Sequence, residues 1–337
     1  MFPPLRKFEE ILNKDKFKEI KILKIIIYPI KSFKGIIVDK CVIDGFGFQY
    51  DRMYMLGVWD EKLQKYKSIT QRECPKLCLC KVEFDGDFFF KISWEDGNES
   101  FKLPTVMDEN FLKNNCSSHG EFPAHLWGVN FTTFVLDKFE IPDSFIKFIN
   151  FQSSKKINFL YSQKGKFVKT NVPKSLTLNK DFKQLSTRFQ EYFPSLIMNE
   201  ADIRDLECRI NQDDDNDSSS FQVSYENFRP NLVVTGEDPY QIDTWSTINI
   251  TPINKKWLII SKCPRCTIPN INCKTGITDK LNRISRKLAQ YRRIDPGQKN
   301  FFFLGVHGIQ LDVNYELKVG YRINIEERHI NYYKPLE

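Results

Sequence analysis

Apolar positions along the chain fall mostly into short β-branched or aromatic runs separated by turn residues, the pattern of strands rather than helices. The first run, 22–29, carries Ile25-Ile26-Ile27 and closes on Tyr28-Pro29. A polar turn, Lys31-Ser32-Phe33-Lys34-Gly35, separates it from a strand predicted over 36–43. Gly45 and Gly47 mark a bend, and Asp51-Arg52 opens a strand through Trp59. Thr70-Gln71-Arg72 leads to Pro75 and a strand predicted over 77–84, and 88–94 reads as another. Trp127-Gly128 precedes a strand at 131–136, and 157–161 is strand-like again. Between them, 142–151 has helical spacing with Pro142 at a first-turn position.

In the second half a short strand at 196–198 runs into Asn199, a capping residue for a helix over 200–210 whose first turn is acidic. Strands follow at 231–235 and 257–261, the latter delivering the chain to Cys263. A basic amphipathic helix is predicted over 279–292, with its cations on a solvated face, and the last strands at 301–304 and 316–325. No internal repeat is visible. The expected fold class is α+β, predominantly β, with a barrel-like unit over 20–152 and a second unit over 153–330.

Composition narrows the function classes. With 337 residues, 41% hydrophobic and 28% charged, the chain has material for a sizeable core and is not a disordered polymer. Its 29 phenylalanines fit an aromatic core between strands. The net charge of +7 is dispersed, so no nucleic-acid partner is expected. The run Asp213-Asp214-Asp215, with Asp217 and the serines after it, reads as a solvated loop. Nine cysteines, an odd number without a secretory signal, fit reduced thiols. The first residues mix Lys and Glu and hold no bilayer-length apolar segment. The expected location is therefore cytoplasmic, with mitochondrial association as the alternative and no stable membrane insertion.

Candidate chemistry centres on Cys263-Pro264-Arg265-Cys266. A structural zinc knuckle needs a second ligand pair; Cys78-Leu79-Cys80 is the only other close pair, and strand alternation would put both thiols on one apolar face. A redox dithiol belongs at a helix start, whereas 268–271 reads as extended. A single ligating thiolate beside Arg265, or two buried thiols without chemistry, complete the alternatives. Elsewhere Phe228-Arg229-Pro230-Asn231 would hold a guanidinium at a strand mouth, suited to an oxyanion. Lys31 and Ser32 offer an ammonium and a hydroxyl on a tight turn, and Arg52 another guanidinium.

These stretches together, with Asn199-Glu200-Ala201, Thr275-Gly276 and Tyr291-Arg292, resemble the MOSC superfamily. The resemblance is specifically to the amidoxime-reducing molybdenum proteins, in which an N-terminal β-barrel is fused to a MOSC β-barrel. It implies a molybdenum cofactor (Mo-molybdopterin) held between the two units. Cys266 would be the metal's thiolate ligand. Lys31, Ser32, Arg52, Arg229, Asn231 and Arg265 would hold the pterin and its phosphate, with Pro264, Tyr192 and Phe193 contributing backbone groups. The implied reaction is two-electron reduction of small N-hydroxylated substrates. Electrons would come from a separate cytochrome b5-type donor and its NADH-dependent reductase. Non-catalytic cofactor carriage and sulfur delivery are the alternatives. Phe193 stands where relatives usually have a hydroxyl residue, and His307 where they have tyrosine. His307 is either a proton source at the cofactor mouth or a core histidine, and Gly320-Tyr321 replaces a family Gly-Asp. Neither a membrane anchor nor a four-cysteine iron–sulfur domain is expected.

Overall fold

The structure is a computed structural model and describes residues 19–95, 97–117, 122–126, 129–163, 166–167, 186–213 and 221–329. The first residues, Trp127-Gly128 and the acidic run after Asp213 lie outside the described residues. In chain order, the strands that build its two barrels are β1 (Lys21–Ile27), β2 (Tyr54–Asp60), β3 (Lys65–Ser68), β4 (Phe122–Leu126), β5 (Val129–Leu136), β6 (Ile157–Tyr161), β7 (Ser195–Asn199), β8 (Leu232–Thr235), β9 (Trp245–Thr251), β10 (Lys255–Arg265), β11 (Phe302–Gln310) and β12 (Arg322–Arg328).

One ring runs β8–β7–β11–β10–β9–β12–β1 and closes from β1 back to β8. Its neighbours are antiparallel except for the parallel pair β7–β8. Its core is Trp245 and Trp257 among Ile25, Leu232, Ile248, Ile250 and Ile323. A second closed barrel runs β4–β5–β6–β2–β3 and is parallel only at β3–β4. Beside it a large aromatic core forms where the sheet of Lys81–Asp85, Phe89–Trp94 and Glu99–Pro104 meets the helix Asp143–Phe148. Phe145 there packs against Trp94, Phe101 and Phe33 at ring separations of 5.3, 5.5 and 6.0 Å. This core accounts for much of the phenylalanine.

Sheet membership does not follow a division at 152/153. β1, from the start of the chain, completes the second ring, and β6, placed by sequence in the second unit, sits between β2 and β5 of the first barrel. β1 can belong to a closed ring because both its faces are apolar. Ile25 and Ile27 join the Trp245 core, while Ile26 packs on Tyr28 and Val233.

Other elements differ in extent. The strand expected over 36–43 is two, Ile36–Val38 and Lys40–Asp44. The one expected over 77–84 begins as a 3₁₀ turn, Pro75–Leu79, because Pro75 initiates a helical turn; a strand starts only at Lys81. Cys78 and Cys80 therefore do not share a strand face. The apolar strand seen at 301–304 continues to Gln310 in β11, and 316–325 is broken at Gly320, whose φ is 85°. β9 went unread: its sequence WSTINIT alternates only from Ile248 on, and irregularities between Trp245 and Ile248 let Trp245 join Ile248 and Ile250 in the core. Two helices cover the ring, α1 (Glu200–Asp213) and α2 (Arg283–Tyr291), packing Ile203, Leu206 and Ile210 with Ile284 and Leu288. Asn199 caps α1 as expected, its Oδ1 accepting from Ala201 N at 3.3 Å.

Candidate functional site

The cavity starts with the turn after β1. Phe33 is fully buried in the aromatic core and anchors that turn, while Lys31 N donates to Tyr54 O at 2.8 Å. Lys31 and Ser32 are thereby held, both buried, on the wall of a cavity of about 250 Å³. Ser32 sits at φ 74°, a left-handed conformation uncommon for a residue with a Cβ. Its carbonyl accepts from Gln71 Nε2 at 2.6 Å, which brings Thr70-Gln71-Arg72 to the same wall.

Arg52, at φ 49°, is the second component. Buried Asp51 accepts from Tyr28 N at 2.8 Å and grips the Arg52 guanidinium through both carboxylate oxygens, at 2.6 and 2.7 Å. Arg52 also donates to Arg229 O at 3.2 Å. Arg229 is itself left-handed, at φ 60°. Both guanidinium carbons lie over the Tyr28 ring, at 4.2 and 4.4 Å from its centre. Arg229 Nη1 donates to Phe33 O at 2.6 Å, but Nη2 is buried with no hydrogen-bond partner. Burial pulls the Arg229 pKa down, and so does the Arg52 charge, against the pull of Tyr28.

The wall opposite comes from the ring. β10 carries irregularities between Ile259 and Ser261 and between Lys262 and Pro264, and Pro264 is tolerated in the strand at the second of these. Cys263 is buried, and its thiol is pushed up by that burial; Cys266, just past the strand end, is half-buried on the cavity. The next residues, Ile268–Asn270, form a 3₁₀ turn and not the extended segment expected. Cys263 still lies inside β10 rather than at a helix start, so the thioredoxin-type placement is absent. Among the described residues no group of three or more His, Cys, Asp or Glu side chains could hold a metal. The zinc reading thus has no second ligand pair.

Two expected contacts are directed elsewhere. Arg265 donates to Leu304 O from Nε at 2.8 Å and Nη2 at 2.5 Å, and to Phe228 O from Nη1 at 3.2 Å. Asn231 bridges strands, donating to Ile26 O at 3.2 Å and accepting from Leu196 N at 3.3 Å. Both line the cavity, yet these side-chain groups serve the backbone.

His307 lies on the same cavity wall. It lies in β11 opposite Ser261 and Leu196, with Nδ1 at 3.2 Å from Ser261 Oγ, and its ring stacks on Phe193 at 4.9 Å. Burial and the nearby Arg265 charge push its pKa down to about 3, so the imidazole is neutral near pH 7. Tyr192 and Phe193 complete that side. Glu191 is a wall residue the sequence did not single out: it pairs with Lys31 Nζ, which also donates to Phe189 O at 3.1 Å. Burial lowers the Lys31 pKa while Glu191 raises it. Asn227 was also missed; it donates to Pro269 O and Ile271 O at 3.1 and 3.0 Å and fixes the segment after Cys266. Its capping-box spacing after Ser224 was the available signal.

Residues 19–125 match the MOSC N-terminal beta barrel domain and residues 184–323 match the MOSC domain. The chain is a MOSC protein. Among curated relatives, it is 26% identical to mitochondrial amidoxime reducing component 2 of Homo sapiens over 287 residues, covering 84% of this chain and 76% of that one. The Danio rerio mitochondrial amidoxime-reducing component 1 is 24% identical, with 88% and 83% covered. The molybdenum cofactor sulfurase of Arabidopsis thaliana is 27% identical over 87% of this chain but only 34% of its own length. The MOSC ring and its N-terminal barrel thus meet at the cavity, each contributing cations to its wall.

Proposed function

We propose that this MOSC protein holds a molybdenum–pterin cofactor in the cavity and reduces N-hydroxylated compounds. The observation that carries the reading is one constellation. A half-buried thiol, Cys266, shares a cavity with Lys31, Arg52 and Arg229, and one Arg229 nitrogen is buried without an acceptor. A buried donor left unmade costs about 1–3 kcal/mol, and an anionic oxygen would relieve it. The donor set fits the cofactor, since Cys266 offers one soft thiolate and the pterin dithiolene brings the rest of the metal's sulfur.

When bound, the cofactor supplies the two-electron chemistry on the N–OH group. The chain's own residues bind and orient it. Lys31, Arg52 and Arg229 oppose its negative charge, with Ser32 beside them. Arg265 holds β11 and contributes field rather than a direct contact. Phe193, Phe228 and Phe301 make that end of the cavity apolar and limit water. His307 forms part of that wall, its Nδ1 3.2 Å from Ser261 Oγ. Electrons come from a separate cytochrome b5-type protein and its NADH-dependent reductase. The names of the amidoxime-reducing relatives support this reading. Those names also support mitochondrial association, which cell fractionation tests; recovery in the cytosol alone would count against it.

Purified protein should contain near-stoichiometric molybdenum and reduce benzamidoxime with reconstituted cytochrome b5 and reductase. Cys266→Ala should lose the activity while keeping its fold by circular dichroism. Molybdenum without turnover would leave a cofactor carrier, or a sulfur-delivering protein such as the sulfurase likeness suggests. No molybdenum, from a host that makes the cofactor, would overturn both.

A further inference from the structure

Behind the Arg229 wall, the N-terminal half and the MOSC ring touch a second time. The 3₁₀ turn Pro75–Leu79 of the first lies against the hairpin Ile271–Asn272/Ile277–Thr278 of the second. The approach is close: a Cβ on Gly276 would stand 3.1 Å from Lys76 Cα and from a Leu79 methyl carbon. Cys78 projects from the turn, with its Sγ 3.9 Å from Asn272 O, and Cys273 follows on the hairpin. The two residues line a small cavity of about 20 Å³, room for a water-sized molecule, with Cys273 Sγ 3.7 Å from Ile271 O. Arg229 lines this cavity as well as the large one. Cys78 is buried, whereas Cys273 is partly exposed.

The electrostatics single out this pair. The neighbouring Cys273 thiol and the Arg229 charge hold the Cys78 thiol below its ordinary value, and the Cys78 neighbour together with burial pushes Cys273 up. By contrast Cys74 and Cys116 are each pushed up to about 11 by burial, and Cys80 is pushed up as well. The pair therefore combines a stabilised thiolate with an adjacent second thiol, the arrangement that redox-active cysteines share.

We propose that Cys78 and Cys273 are a redox pair that closes into a disulfide between the two halves when a hydroperoxide reaches them. The Cys78 thiolate attacks a peroxide oxygen; the S–O bond forms, the O–O bond breaks, and the departing hydroxide takes a proton to become water. Cys273 then attacks the sulfenic sulfur. The S–S bond forms, the S–O bond breaks, and a second water leaves with the Cys273 proton. Two thiols lose two electrons and hydrogen peroxide gains them. A dithiol reverses the bond by exchange. The closed form staples the turn to the hairpin across the wall that carries Arg229. This inference is independent of the cofactor reading.

The test uses the full chain, treated with a modest molar excess of hydrogen peroxide, alkylated and digested with trypsin. The peptides 77–81 and 266–274 should appear cross-linked, with fragment ions assigning the bond to Cys78 and Cys273 rather than to Cys80 or Cys266. The cross-link should vanish after dithiothreitol. In Cys273→Ser, Cys78 should instead be trapped by dimedone as a sulfenic acid. A bond through Cys80 or Cys266 would overturn the proposal. So would Cys78 and Cys273 that stay fully alkylatable while exposed Cys208 is oxidised.

Discussion

Three cavity residues, Ser32, Arg52 and Arg229, have positive φ although none is glycine. Such a conformation costs about 1–2 kcal/mol per residue, and strain of this kind collects where function needs a side chain aimed against local preference. Arg229 adds a second cost, a buried donor without a partner. Arg229→Met should therefore leave the melting temperature of cofactor-free protein unchanged or higher, yet weaken cofactor retention by roughly tenfold or more, the value of a hydrogen bond to a charged group. Arg229→Lys should fall between, keeping the charge without the fork. Calorimetry and molybdenum content check both.

Protons give a second residue-scale outcome. The folded pKa of His307, about 3, lies below its unfolded value, so between roughly pH 3 and 6.5 the unfolded chain binds more protons and stability rises with pH. Asp202 runs the other way. Burial pushes its carboxyl up to about 7, and its Oδ2 has no partner, so between roughly pH 4 and 7 the folded chain holds the extra proton and stability falls as pH rises. The two slopes oppose each other across pH 4–6.5. His307→Gln should make stability fall more steeply as pH rises through that window, by up to about 1.4 kcal/mol per pH unit, and Asp202→Asn should make it rise more steeply. Urea midpoints across the range measure both.

At the scale of elements, β10 and β11 decide where Cys266 and His307 lie. β11 passes Arg265 at Gly305, whose φ is 76°. A Cβ there would stand 2.8 Å from Ile197 O and 3.2 Å from Arg265 Nη2. Gly305→Ala should destabilise the fold by about 1–3 kcal/mol, read from the denaturant midpoint, and disturb the carbonyl contacts of Arg265. The strands easiest to read from sequence were those dominated by apolar residues, β1, β6 and β8. Those the pattern concealed had internal glycine or histidine, as β11 does, or an alternation broken by irregularities, as β9 does. In both cases a pairing partner, not local preference, stabilises the strand.

Across the whole molecule, the N-terminal strand belongs to the C-terminal ring. A fragment restricted to 184–329 would leave β8 and β12 with unpaired edges where β1 should lie. Such edges template aggregation. That fragment should be insoluble or oligomeric by size exclusion, and co-expression with residues 19–50 should recover soluble monomer. Soluble, cooperatively folded 184–329 alone would contradict the closed-ring account.

By itself the sequence determined the predominance of strands, the presence of two units and a short set of cations, polar residues and one thiol in recognisable motifs. These are local properties: periodicity, turn chemistry and motif spacing are written in neighbouring residues. Only the tertiary structure decided that those motifs line one cavity, because their convergence depends on β1 crossing into the second ring. It also decided what each donor meets there. Arg265 and Arg229 look alike in sequence, yet one guanidinium is directed at carbonyls while the other keeps a nitrogen without a partner. The hydrogen bonds of a side chain depend on which backbone the fold brings beside it, and that is a long-range property no local pattern encodes.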